Sequence, residues 1–314
     1  MGFYTPRIMK KQIKKLVYSK FFPDFLFKYY FDSLASKYSA RLIGVFQKNK
    51  SFLEELREDK RAYWQARIDD VMNGPDNADI ERVENAGKII DNCLIMHNGI
   101  KVDPMSYYSY PLLQMLIDNK SVHEPQEEKV FQEVLKSLPK MGDKMMMELG
   151  AYWSFYSMWF LQNFPKANCF MVEPEKENLF YGKRNFQLNQ MKGKFIQAGI
   201  GKKLDHNNNI ITVDSICKQN KIEFLDILHS DIQGYEYEML LGSEKLLSEK
   251  KVGYVFISTH SNELHEQCYN LLKNKYNMHL VASANLDESY SWDGILVMKN
   301  TDYPGIDTVK ISKK

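Results

Sequence analysis

From residue 126 to the end of the chain, short apolar runs alternate with longer amphipathic stretches. A segment of helical period, Gln126–Ser137, comes first. The runs Met145–Leu149, Asn168–Val172, Lys194–Ala198, Asp226–Ser230, Gly253–Ser258, Met278–Ala282 and Gly294–Met298 have the length and apolar character of buried strands. Strands separated by helical stretches predict a parallel sheet covered by helices on its faces. The last segment, Trp292 to Asn300, predicts a closing hairpin at the sheet edge. Upstream, residues 1–72 read as helices broken near Pro23 and Gly44, ending in a charged, helix-favouring stretch, Ser51 to Met72, that contains Trp64. The turn residues Asn73-Gly74-Pro75-Asp76-Asn77 mark a boundary. A bridging segment follows, with His97-Asn98-Gly99, the aromatic cluster Tyr107, Tyr108 and Tyr110, and a helix from Pro111 to Ile117. The pattern divides the chain into a helical N-terminal extension (1–75), a bridging segment or lid (76–123) and an α/β domain (124–314).

Composition adds an asymmetry of charge. The whole chain carries +2, yet residues 1–50 hold eleven Lys and Arg against Asp24 and Asp32, leaving about −7 for the remainder. Arg7, Lys10, Lys11, Lys14, Lys15 and Lys20 interleave with Ile8, Ile13, Leu16 and Val17 at helical spacing. That pattern suits either an anionic membrane surface, touched peripherally, or a helical arm that packs a second copy into a homo-oligomer. No run approaches the roughly 18 apolar residues of a membrane span, and the basic segment lacks the apolar core and small-residue cleavage site of a signal peptide. Cys93, Cys169, Cys217 and Cys268 show no paired spacing and read as reduced core residues of a cytoplasmic protein.

Three segments carry candidate chemistry. In Met145-Met-Met-Glu-Leu-Gly-Ala-Tyr-Trp-Ser154 a strand enters a turn at Gly150 and then a helix, whose free N–H groups face the carboxyl edge of the sheet, where ligands bind in this architecture. Gly150 lets the backbone pass close to a ligand, and Glu148 can accept from a cationic amino group. Phe170-Met-Val-Glu173-Pro174 ends a second strand in a carboxylate 23 residues after Gly150, placed to bind both hydroxyls of an adenosine ribose. Leu228-His229-Ser230-Asp231-Ile232-Gln233-Gly234-Tyr235-Glu236 ends a further strand in a carboxylate and a glycine turn.

At this third segment the sequence resembles the FkbM-type methyltransferases, whose hallmark is an Asp-x-Glu-Gly-x-Glu run; Gln233 stands here for the first Glu. The resemblance extends over roughly residues 92–300. Glu148-Leu-Gly150 with Ser154 and Ser157 is similar to the family's first motif, with Glu for Asp and Ser154 for the second Gly. Glu173-Pro174 with Asn178 is similar to its Glu-Pro-x-x-x-x-Asn signature, Thr212-Val213-Asp214-Ser215 to its Thr-Leu-Asp segment, and Ile257-Ser258-Thr259-His260 to a strand ending in Glu-x-His. The resemblance implies a Rossmann-like, seven-stranded, mostly parallel methyltransferase sheet. It also implies transfer of a methyl group from S-adenosylmethionine to an oxygen of a sugar or similar metabolite. Glu124, Glu148, Gly150, Ser154, Glu173, Asn178 and Asp231 are then the cofactor-binding candidates.

Methylating a hydroxyl requires alignment of the acceptor oxygen with the donor and removal of a proton. Asp231 and His260 are the catalytic candidates, either acting directly or, alone or with His229 or Asp293, holding a divalent cation (Mg²⁺ or Mn²⁺) that acidifies the hydroxyl. The metal-free version is favoured because no compact ligand spacing is visible. Ser121-Val-His123-Glu124-Pro-Gln126-Glu127-Glu128 precedes the first helix of the domain. Helix-start chemistry explains its acids, yet Glu124 or Gln126 also suits a cofactor or lid role. Tyr107, Tyr108 and Gln233 are candidates for the acceptor, a small molecule or glycan, although aromatic packing explains the tyrosines equally well. Nucleic acid is disfavoured as a partner, because the basic charge is confined to the N-terminus. A methyltransferase-fold scaffold without catalysis is the rival reading, to which Ser154 and Gln233 lend weight.

Overall fold

The computed structural model describes residues 57–107 and 110–314, together with the isolated helical positions Ser33, Lys37 and Gly44. The expectations for the basic arm, for the break at Pro23 and for Tyr108 lie outside the described residues. Gly44, where the sequence suggests a break, is itself helical. The helix expected over Ser51–Met72 is described as α1, Glu58–Asn73, and a short 3₁₀ turn, Pro75–Asp79, follows at the expected boundary. The bridging segment forms a small antiparallel meander of β1 (Ile89–Ile90), β2 (Cys93–Ile95) and β3 (Lys101–Val102), with His97-Asn98-Gly99 as the tip between the last two. Helix α2 (Tyr110–Asp118) packs against α1.

The α/β domain begins with α3 (Pro125–Ser137), then β4 (Met145–Leu149), α4 (Phe155–Asn163), β5 (Asn168–Val172), α5 (Lys176–Leu188) and β6 (Lys194–Ile196). A two-stranded pair, β7 (Gly199–Ile200) and β8 (Ile210–Ile211), precedes α6 (Val213–Asn220), β9 (Leu225–Ser230), α7 (Glu236–Leu241) and α8 (Glu244–Ser248). The chain closes with β10 (Val252–Thr259), α9 (Asn262–Asn270), β11 (His279–Ala284) and β12 (Gly294–Lys299). Every expected strand is present. The largest boundary errors are two residues, at β6, which stops at Ile196 as Gln197 and Ala198 leave the sheet toward β7, and at β11, which runs on to Ala284.

The main sheet has the order β11-β12-β10-β9-β4-β5-β6, a doubly wound arrangement that reverses direction between β4 and β9. Strands β10, β9, β4, β5 and β6 run parallel, whereas β12 inserts antiparallel between β10 and β11. Alternate side chains of one strand enter opposite cores, as the two-residue strand period demands. Met146 joins Phe131, Tyr156, Phe160 and Phe256 on one face, while Met147 and Leu149 join Val213, Met239 and Leu247 on the other. Because both faces are covered, all eight residues of β10 and all six of β9 are buried. All four cysteines are free and buried. Among the described residues, no helix is long and apolar enough to cross a membrane.

Candidate active site

The reversal between β4 and β9 leaves a crevice at the carboxyl ends of these strands. The first wall is the turn from Gly150 to Ser154, in which Gly150 (φ 68°), Tyr152 (φ 41°) and Ser154 (φ 62°) are all left-handed. An added Cβ on Gly150 would stand 1.7 Å from the carbonyl oxygen of Asp231. The sequence offers this glycine as a ligand approach; here it admits the backbone after β9, tied down by the Asp231 N–H donating to the Leu149 carbonyl at 3.0 Å. Ser154 occupies a conformation that glycine adopts without cost, which explains why the resemblance places glycine there. Its buried Oγ has no partner among the described residues and lies against Gly182, where a Cβ would meet it at 2.5 Å.

Glu148, at the end of β4, is buried and accepts from the Ser157 N–H at 3.0 Å in the first turn of α4. Burial pushes its carboxyl up to about 7, against the opposing pull of His229. Glu173 ends β5 as expected and accepts three hydrogen bonds, from the N–H groups of Tyr152 (3.0 Å) and Glu175 (2.9 Å) and from the Asn178 amide (3.3 Å). A carboxylate has about four acceptor positions. Glu173 therefore retains capacity for one further donor, where the sequence reading assigned it two ribose hydroxyls. Asn178, the other residue of that signature, donates to Glu173 and so helps to position it.

The second wall follows β9 and β10. Asp231 Oδ1 accepts from the Gln233 amide at 3.0 Å and lies 3.2 Å from His260 Nε2. Gln233, expected at the acceptor, is exposed and left-handed (φ 58°), its amide turned back on Asp231. His260 Nδ1 lies 2.9 Å from Glu236 Oε1, and its Nε2 3.4 Å from Asp293 Oδ1. Glu236 in turn accepts from the N–H groups of Ile232 and Gly234, so the glycine turn and its closing glutamate form one unit. Burial alone would lower the His260 pKa, but Asp231, Glu236 and Asp293 together push it up to about 10. Burial and Asp231 push the Asp293 carboxyl up to about 6.

A folded-state pKa above the ordinary imidazole value means that the His260 ion pairs stabilise the fold fully below pH 6.5 and are lost as pH rises toward about 10. The melting temperature of wild type should accordingly fall more steeply than that of His260→Gln between neutral pH and about pH 10. Parallel curves would show that His260 is not held as a cation.

The crevice between these walls is lined by Glu124, Glu148, Gly150, Asp231 and Asp293 with His123, His229, Tyr107, Tyr156 and Arg67 among others. Glu124 accepts from the Tyr156 hydroxyl at 2.8 Å, and burial pushes its carboxyl up to about 8, with His123 opposing. Tyr107 is buried with its ring 4.6 Å from Trp153, a packed position that also lines the crevice. Gln126 is not in the crevice: it donates to the Ser312 carbonyl and accepts from the Tyr290 N–H, holding the C-terminal segment.

Two glutamates that read as helix-start acids are part of this region. Glu127 bonds His229 Nε2 at 2.6 Å and the Ser258 hydroxyl at 2.9 Å, and Glu128 lies between His123 and His97. The signal that finds them is helical phase: Glu127 and Glu128 sit four and three residues before the buried Phe131, on the apolar stripe of α3. Among the described residues, no group of three or more His, Cys, Asp or Glu is arranged to hold a metal ion. His260 is instead enclosed by carboxylates at ion-pair distances.

Residues 205–280, spanning the strand, glycine turn and histidine of the second wall, match the family model of the methyltransferase FkbM domain. The resemblance to the FkbM methyltransferases therefore holds. Similar solved structures include M. capricolum TrmK in complex with S-adenosyl-homocysteine, at 12% identity over 58% of this chain and 70% of that one (TM-score 0.36). Others are precorrin-6y C5,15-methyltransferase from Geobacter metallireducens, at 12% identity over 55% and 89% (TM-score 0.38), and the METTL16 MTase domain, at 11% over 55% and 65% (TM-score 0.41). No curated protein matches the chain significantly. The doubly wound sheet is the one the resemblance implies, and the FkbM match covers the part of it from β9 into β11.

Proposed function

We propose that this FkbM-type protein methylates a hydroxyl oxygen of a sugar or similar metabolite, with Asp231 as the proton acceptor and His260 as its partner. The observation that carries this reading is the Asp231–His260 pair, 3.2 Å apart, whose Asp231 lines the same crevice as Glu148 and Gly150. The residues present fit the cofactor: His229 Nδ1, in the crevice wall, and Ser154 Oγ, at the end of its first turn, lack partners among the described residues, and Glu173 keeps one acceptor position. Glu148, Ser154, Glu173 and Asp231 would hold S-adenosylmethionine, with Glu124 at the crevice mouth. When bound, the cofactor supplies an activated methyl group on a sulfonium.

The chain's own task is to orient the acceptor oxygen and take its proton. A hydroxyl becomes far more acidic as it gains a methyl group, so a carboxylate is base enough. His260, held as a cation at neutral pH, is not free to accept that proton; it keeps Asp231 in place. Glu236 holds the ring's other nitrogen, and Asp293 shares Nε2 with Asp231.

The test is calorimetric binding of S-adenosylmethionine and S-adenosylhomocysteine, followed by a screen of hydroxyl-bearing sugars with and without chelator. Glu173→Ala should weaken S-adenosylhomocysteine binding by about ten- to a hundredfold, the equivalent of one charge-assisted hydrogen bond. Well-folded wild type that binds neither compound would favour the non-catalytic scaffold. Turnover lost with chelator and restored by Mg²⁺ or Mn²⁺ would put a cation at Asp231 and His260.

A further inference from the structure

One histidine of the crevice wall carries a hydrogen-bonding site that the reaction as described leaves unused. His229, near the end of β9, is buried and lines the crevice with Glu148 and Asp231. Its Nε2 lies 2.6 Å from Glu127 Oε1, and Glu127 also accepts from the Ser258 hydroxyl. The ring packs against Tyr156 and Phe256, with centroids 4.3 and 6.0 Å away, so its plane is held. Nδ1 has no partner among the described residues. A neutral imidazole with its proton on Nε2 would be enough for Glu127. Burial favours that neutral form, but Glu127, Glu148 and Glu124 outweigh it and raise the His229 pKa above its ordinary value, which favours a proton on Nδ1 as well. A buried N–H without an acceptor is costly, and the crevice is the space from which an acceptor reaches this ring.

The neighbouring strand indicates which acceptor. Parallel pairing sets Glu148 of β4 opposite His229 of β9, and paired residues of adjacent strands project from the same face about 4.8 Å apart. Glu148 spends an oxygen on the Ser157 N–H and keeps further acceptor positions. A carboxylate beside an imidazolium matches a zwitterion whose ammonium and carboxylate hang on one carbon, which is the methionine end of the cofactor. The other cations that line the crevice are matched elsewhere. His123 lies between Glu124 and Glu128, while Arg67 lies over the Trp292 ring and acts on Asp293.

We propose that His229 donates from Nδ1 to the carboxylate at the methionine end of S-adenosylmethionine while Glu148 accepts from the amino group beside it, an inference that rests on the methyltransferase reading of the crevice. Glu127 is then a positioning residue, which engages Nε2 and leaves Nδ1 as the donor. A carboxylate borne by the methyl acceptor would use the same donor, and analogues of the cofactor alone separate the two sources.

The experiment is calorimetry on the full chain with S-adenosylhomocysteine, its decarboxylated analogue, and 5′-methylthioadenosine, which lacks the whole amino-acid end. Wild type should bind S-adenosylhomocysteine about ten- to a hundredfold more tightly than the decarboxylated analogue, the worth of one charge-assisted hydrogen bond. His229→Gln places an amide at the Nε2 position, so the Glu127 bond is kept and the Nδ1 donor is lost. In that variant the preference should vanish while 5′-methylthioadenosine binds as before. Equal weakening of all three compounds, with the preference kept, marks a merely structural role and overturns the contact. Wild type that binds 5′-methylthioadenosine but does not prefer S-adenosylhomocysteine to its decarboxylated analogue overturns it too, and leaves the methyltransferase reading standing. If His229→Gln does not fold, His229→Asn takes its place with the opposite expectation, because its amide stands at the Nδ1 position: the preference is kept, and its loss overturns the contact. Wild type that binds none of the three overturns the inference together with the methyltransferase reading.

Discussion

Gly150→Ala should be the most damaging small substitution in the crevice, costing roughly 3–5 kcal/mol of stability, the sum of a left-handed backbone penalty and overpacking. The new methyl group meets the Asp231 carbonyl oxygen at 1.7 Å, and that oxygen belongs to backbone fixed by the Leu149 hydrogen bond. Neither side can give way without separating β4 from the end of β9. Urea unfolding of wild type and variant measures the loss, and the same separation should abolish S-adenosylhomocysteine binding. A variant of wild-type stability would mean that the two strand ends are not in contact.

Glu128→Ala should cost a comparable amount, about 3–5 kcal/mol, the usual consequence of removing one partner from a buried ionic group. It strands His97 and His123 and leaves two N–H groups at the start of α3 without their acceptor. Burial alone would raise the Glu128 carboxyl, but His123 and His97 more than offset this and hold it well below the usual carboxylate range. The stability it supplies is thus present above about pH 4.5 and is lost as pH falls toward its depressed folded value. Denaturation of the two proteins across an acid series should show the difference between them shrinking below about pH 4.5. A constant difference would indicate that lost packing, rather than the ion pairs, dominates.

Much of the crevice was legible as strand ends. Glu148, Glu173 and Asp231 each lie at or just past the end of a strand, and a polar residue there emerges at the carboxyl edge of a parallel sheet. His260 was legible for the same reason. What these carboxylates touch was not. Asn178 and Gln233 lie near the motifs in sequence, yet both turn back to orient a carboxylate, because a short amide bonds most readily to an acceptor two to five residues away. What holds Gln126 was not legible, because its partners, Ser312 and Tyr290, lie more than 160 residues further along the chain.

By itself the sequence determined the strand and helix order, the covering of both sheet faces, and which strand ends carry acids, since these follow from local periodicity and the punctuation of glycine and proline. Only the tertiary structure decided that Gly150 accommodates the Asp231 backbone, that Arg67 of α1 reaches the crevice, and that Glu127 and Glu128 are interior groups matched to histidines. Those contacts join segments far apart in the chain. Their energy depends on burial and on charges brought within a few ångströms, quantities that no local pattern contains.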